Sequence, residues 1–302
     1  MLICVAFFTL TERKVMASIQ RRKGPNVTGY FGSAQAVSDG VKLLTKEIIV
    51  IKKANVNLYL SSPVFVFFCS FIPWLFIPFN KHTIIFDFNF SILIFFAISS
   101  VGIYGIFFAG WSSNSKYPIL GSIRTVVQLV SYELVLSLLF SIIIVVISSF
   151  SFLDIFRVPF SLINCFPFLF FIFITSSFAE TNRLPFDLPE AEAELVAGFN
   201  SEYSGIGFAL FFLGEYLNII LMSFLTTLIF FSDSNIFLQF KFLNFNSISY
   251  FNEVLNHQVN QLIMLFKLNI NTYLFVSIFQ FVFIFIRSTC PRFKYSNLID
   301  LC

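Results

Sequence analysis

The chain reads as an all-α polytopic membrane protein, with about seven transmembrane helices and one further amphipathic helix lying at the membrane interface. Three observations carry that expectation. Apolar residues make up 57% of the 302 and charged residues only 12%, too little polar surface to cover a soluble globule of this size. The apolar residues gather in continuous runs, most of them near the roughly 20 residues that a spanning helix needs. Inside a run they do not alternate with polar residues as barrel strands do, so each backbone must satisfy itself through helical hydrogen bonds.

Residues 1–10 (MLICVAFFTL) form a short first run; ten helical residues reach about 15 Å, half the hydrocarbon core. The run has no basic n-region, unlike a signal peptide. The loop over 11–60 is long, and within it Ala34, Val37, Val41, Leu44 and Ile48 recur at spacings of three and four while Asp39, Lys42, Lys46 and Glu47 point elsewhere. That is the pattern of an interfacial helix, either a membrane anchor or a doorway for a lipid-soluble ligand. Further runs follow at 61–79, 90–111, 126–149, 165–179, 206–231 and 268–286. On the third span Gly102, Gly105, Ala109 and Gly110 are candidate close-packing sites. The whole is read as one membrane domain over 1–302, with loops at 11–60, 180–205 and 232–267.

Charge fixes the orientation. Of the 19 basic residues, all but Lys81, Arg157, Lys241 and Lys267 fall in the first, third and fifth loops and the tail. The positive-inside rule places those loops on the negative, matrix-like side, with the N-terminus facing the opposite compartment and the C-terminus the matrix side. Five cysteines show no CxxC spacing, and His82 and His257 both lie in loops, so no metal or haem centre held by this chain alone is expected. No GxGxxG or P-loop supports a nucleotide site, and no nucleic-acid partner is expected. The 47 phenylalanines, with many Ile and Asn, point to a compositionally biased, organellar genome.

Six carboxylates crowd the stretch 180–203: Glu180, Asp187, Glu190, Glu192, Glu194 and Glu202. Glu190, Glu192 and Glu194 stand two apart, so they repel and titrate in coupled steps. A solvated acidic loop is the plain explanation, weakened by the apolar residues Leu184, Phe186, Leu188, Leu195 and Phe199 threaded through it. Glu133 falls near mid-membrane, about 13 Å along a helix from Arg124. Glu215 sits inside the run 206–231 with no basic residue near it in sequence. Each is either a neutral hydrogen-bonding residue between helices or part of a proton relay. The basic residues Arg13, Lys14, Arg21, Arg22, Lys23, Arg287, Arg292 and Lys294 would bind anionic headgroups of membrane lipids or clamp an acidic partner.

Six ordered blocks carry a resemblance over nearly the whole chain: TERKVMASIQRRKGPNVTGYFG, QAVSDGVKLLTKE, SNSKYPILGSIRTVVQLVSYE, ETNRLPFDLPEAEAELVAGFNSEY, ALFFLGEYLNI and RSTCPRFKYSNLIDL. Together they resemble the subunit-1 family of the proton-pumping NADH:ubiquinone oxidoreductases, respiratory complex I, in its mitochondrial form. The resemblance implies a subunit of the mitochondrial inner membrane at the junction of the hydrophilic and membrane arms. It would form much of the chamber that receives ubiquinone as substrate and begin a chain of buried carboxylates that couples quinone reduction to proton translocation. NADH, FMN and iron-sulfur clusters would belong to partner subunits, and no redox centre to this chain.

Carried over by motif, Arg13, Gln20, Arg22, Lys23 and Asp39 would line the quinone entrance, and Arg183, Phe186 and Asp187 the chamber side of the acidic loop. Arg287 and Arg292 would face the docked hydrophilic subunits. Glu133, Glu180, Glu190, Glu192, Glu194, Glu202 and Glu215 would be the proton-path carboxylates. Both ends are short against the family pattern, so a separate polypeptide is expected to supply the last helix. Rival readings are the equivalent subunit of a related membrane-bound hydrogenase-like complex, a proton-coupled secondary transporter, and a membrane scaffold. A transporter predicts repeated halves, and no internal repeat links 61–149 to 165–286.

Overall fold

In a computed structural model of the chain, residues 1–79, 84–158, 161–187, 198–231 and 272–292 are described. Every long described element is a helix: α1 (Leu2–Ile19), α2 (Gln35–Thr45), α3 (Val56–Phe71), α4 (Ser91–Ser112), α5 (Lys116–Ile147), the short α6 (Phe152–Arg157) and α7 (Leu162–Cys165), α8 (Pro167–Glu180), α9 (Gly205–Phe230) and α10 (Thr272–Thr289). Short 3-10 turns at Ile72–Leu75 and Gly198–Glu202 extend α3 and precede α9. Five of the helices are long and apolar enough to cross a bilayer: α3 with its 3-10 extension, α4, α5, α9 and α10. The protein is therefore a multi-pass helical membrane protein.

Two helices depart from the sequence expectation in length. α1 does not stop at residue 10 but runs 18 residues through Glu12, Arg13 and Lys14, about 27 Å at the helical rise. The apolar run ends where the helix continues because its charged second half finds partners on other elements. α5 starts at Lys116, ten residues before the apolar run at 126, and spans 32 residues. Pro118 in its first turn needs no N–H there, and Ser148 in the left-handed region (φ 60°) ends it. The amphipathic helix forms as expected, although it ends at Thr45, before Ile48. Its apolar residues Val37, Val41 and Leu44 stay exposed, and none of its residues is buried.

α9 is the central post, with 61% of its apolar window buried against 22% for both α4 and α5, which leaves those two with broad lipid-facing sides. α3 packs on α4 and α9, α4 on α5, and α5 on α8. Close approach depends on glycine. A Cβ on Gly105 would lie 2.5 Å from Val66 of α3, and one on Gly110 would lie 2.1 Å from the Ser122 hydroxyl of α5. The core between α5, α8 and α9 is phenylalanine packed edge to face: Phe173 meets Phe140 at 6.0 Å and Phe230 at 5.5 Å between ring centroids. α10 joins through Phe283 against Phe178 of α8, centroids 4.1 Å apart. Lys81, the loop 232–267 and Lys294 lie outside the described residues.

Candidate functional site

A cavity of about 80 Å³ opens where α3, α4, α5, α8 and α9 converge. Its polar lining includes Glu133 of α5, Glu180 at the end of α8, Ser99 of α4, Ser70 of α3 and Asn218 of α9. Glu133 Oε1 accepts a hydrogen bond of 2.8 Å from the Ser99 hydroxyl. Glu180 Oε2 is buried and has no hydrogen-bond partner among the described residues. A buried carboxyl oxygen is costly to leave unpaired, and the cavity has room for two or three waters at ~30 Å³ each. Two acids from different helices thus line one small, mostly apolar and partly open cavity between the helices, separated by 47 residues of chain but adjacent in the fold.

The segment after Glu180 is tied down from several sides. Gln128 of α5 donates 2.8 Å hydrogen bonds from its buried Nε2 to the carbonyls of both Ala179 and Phe186. Phe186 also meets Tyr132 edge to face at 5.8 Å. At the far side of the loop, Gly121 of α5 touches Gly198 so closely that a Cβ there would lie 2.8 Å from the Gly198 Cα. Glu190, Glu192 and Glu194 belong to the residues between those anchors and lie outside the described residues. Glu202 beyond them is half-buried; its carboxylate accepts from the Ser115 hydroxyl at 3.2 Å, and its carbonyl from the Tyr59 hydroxyl at 2.5 Å. The Tyr59 ring stacks on Tyr203 at 4.3 Å. Burial pushes the Tyr203 hydroxyl above its ordinary value, against the pull of Ser112 and Ser62, which hydrogen-bond it.

A buried charge cluster stands on the same end of the bundle. Glu12 of α1, 3% exposed, accepts from Arg183 at 3.1 Å, from Arg287 of α10, and from the Tyr216 hydroxyl of α9 at 2.6 Å. The Arg183 guanidinium also lies over the Tyr216 ring, 4.5 Å from its centroid. Burial works against the charge on Arg183, yet Glu12 and Tyr216 outweigh it and hold the proton more firmly than in free arginine. Two guanidiniums against one buried carboxylate is the arrangement that makes such burial tolerable. Glu215, without a basic neighbour in sequence, is brought into electrostatic reach of Arg183 in the fold. Asp187, also buried, is bonded by Arg292 at 2.8 Å. Arg287 and Arg292 are therefore each bonded to a carboxylate of this chain.

Near the first loop, Arg13 bonds Asp39 of α2 at 2.5 Å, and Asp39 also accepts from Gln35 at 2.9 Å. Lys14 donates to the Phe31 carbonyl. These contacts fasten α2 beside the end of α1. Gln20, Arg22 and Lys23 follow in an exposed turn. The structure thus gathers Glu133 with Glu180, Arg183 with Arg287, and Arg13 with Asp39; it does not bring all the sequence candidates to one point. Sequence reasoning missed Glu12, Tyr216, Gln128 and Ser99. Glu12 had one signal, a carboxylate inside a segment otherwise read as a basic loop.

A family model described as NADH dehydrogenase matches residues 1–302. The chain is 44% identical over 304 residues to NADH-ubiquinone oxidoreductase chain 1 of Chondrus crispus, covering 100% of this chain and 87% of that protein. The same identity and shares hold for NADH-ubiquinone oxidoreductase chain 1 of Triticum aestivum. NADH-ubiquinone oxidoreductase chain 1 of Yarrowia lipolytica is 42% identical over 306 residues, covering 100% of this chain and 87% of that protein.

Proposed function

The chain belongs to the NADH dehydrogenase family, and on that footing we propose that it builds the quinone chamber of a proton-pumping NADH:ubiquinone oxidoreductase and couples quinone reduction to proton movement. The supporting observation is the meeting of Glu133 and Glu180 at one cavity between the helices, directly before the segment that Gln128 and the Glu12 cluster tie down. In this reading ubiquinone enters beside α2, past Arg13, Gln20, Arg22, Lys23 and Asp39. Arg183, Phe186 and Asp187 shape the chamber. Reduction of the quinone to quinol takes up two electrons from a partner subunit and two protons, which shifts charge next to the loop. The carboxylates Glu180, Glu190, Glu192, Glu194, Glu202 and Glu215 respond, and Glu133 passes the change toward the membrane arm.

The chain itself supplies position and proton affinity, while electron donors reside in hydrophilic partner subunits on the matrix side. Other membrane-arm subunits and lipids cover the exposed sides of α4 and α5. The setting is the mitochondrial inner membrane, with the N-terminus toward the intermembrane space and the tail toward the matrix. The test is the proton-to-electron ratio of the intact complex in liposomes. Glu133→Gln and Glu180→Gln are expected to lower that ratio while the complex still assembles; an unchanged ratio in both overturns the reading.

A further inference from the structure

Ser99 stands near the middle of α4 with its hydroxyl between two oxygens, 2.9 Å from the Phe96 carbonyl of its own helix and 2.8 Å from Glu133 Oε1 of α5. A hydroxyl has one proton to donate and two lone pairs to accept with. Facing an ionised Glu133, it donates to the carboxylate. Facing a protonated Glu133, it accepts the carboxyl O–H and turns its own proton to the Phe96 carbonyl. Either state of the acid is hydrogen-bonded, with no movement beyond a rotation of the hydroxyl.

We infer that Ser99 is a positioning residue for Glu133, holding its carboxyl in one place through a change of protonation. That role rests on the proton-path reading above and adds to it the group that makes the change feasible without moving a helix. The other titratable groups lining the two cavities that Glu133 borders are Glu180 of α8, Cys69 of α3 and Tyr104 of α4; none has a hydrogen bond to it among the described residues. Ser99 is thus the side chain of the lining placed to follow the state of the acid. An alanine would take away the side-chain hydroxyl that bonds Glu133 in either state.

Ser99→Val and Ser99→Thr have nearly the same volume and differ in the hydroxyl, so the pair separates hydrogen bonding from packing. The measurement is the redox-induced infrared difference spectrum of the intact complex, in which the Glu133 carboxyl band is the one lost in Glu133→Gln. In Ser99→Val that band is expected at higher frequency, as for a carboxyl freed of its hydrogen bond, and in Ser99→Thr at the wild-type position. Should Ser99→Val fail to assemble, Ser99→Ala serves in its place with the same expected displacement. A band at the wild-type frequency in the variant lacking the hydroxyl overturns the inference alone. If Glu133→Gln loses no band and pumps normally, it is the underlying proton-path reading that fails.

Discussion

Arg183 Nη1 reaches Glu12 Oε1 at 3.1 Å across 171 residues of chain, joining the segment after α8 to the first helix. Because Arg287 shares that oxygen and Tyr216 bonds the other, one carboxylate links α1, α9, α10 and the acidic segment. A displacement of the segment at Arg183 would have to break its charge-assisted bond to Glu12 of α1 and lift its guanidinium off the Tyr216 ring of α9.

Replacing Glu12 with Gln leaves Arg183 and Arg287 without their counter-charge at side-chain exposures of 13% and 26%. The expected cost is about 3 kcal/mol, the lower end for breaking a buried pair because Arg287 is partly open to solvent. Native-gel quantification of assembled complex should show a several-fold loss. Tyr216→Phe keeps the ring beneath Arg183 but removes the 2.6 Å bond, so its effect should be smaller and, combined with Glu12→Gln, less than additive.

Gln128→Leu removes both hydrogen bonds that bind Ala179 and Phe186 to α5. At ~1 kcal/mol for each bond, the segment 181–187 should open more readily by ~2 kcal/mol. Amide hydrogen exchange of that segment in the intact complex is expected to speed up about thirtyfold, with α3 and α4 unchanged.

Gly121→Ala puts a Cβ against backbone atoms of Gly198 and Phe199, at 2.8 and 3.0 Å, which cannot rotate away. The strain is expected at ~2 kcal/mol, the middle of the range for overpacking a tight contact. Thermal inactivation of quinone reduction should come at a lower temperature in this variant, whereas Gly40→Ala, with open space around it, should match wild type.

The sequence made the membrane architecture legible because hydropathy is local: the middles of α3, α4, α9 and α10 fall on apolar runs, and α2 follows from its three-and-four spacing. Helix ends were less legible. α1 and α5 continue through charged or polar residues that a hydropathy run excludes, since Glu12 is neutralised by residues 171 and 275 positions away. The acidity of the 180–203 stretch was visible, and so was Glu133, but their meeting place was not, because it depends on α5 packing against α8. Ser99 and Gln128 had no signal at all; polar residues of that size are common in membrane helices, and only tertiary contact singles them out.

The decisive question is whether the two cavity acids change protonation when quinone is reduced. Redox-induced infrared difference spectra of the intact complex, with and without Glu133→Gln and Glu180→Gln, read that event at the carboxyl band. A carboxyl signal is expected in wild type, one component of it lost in each single variant and both components lost in the double variant, while bands from other responding carboxylates remain. Identical difference spectra in all four proteins, at equal quinone turnover, would rule out proton exchange at this cavity.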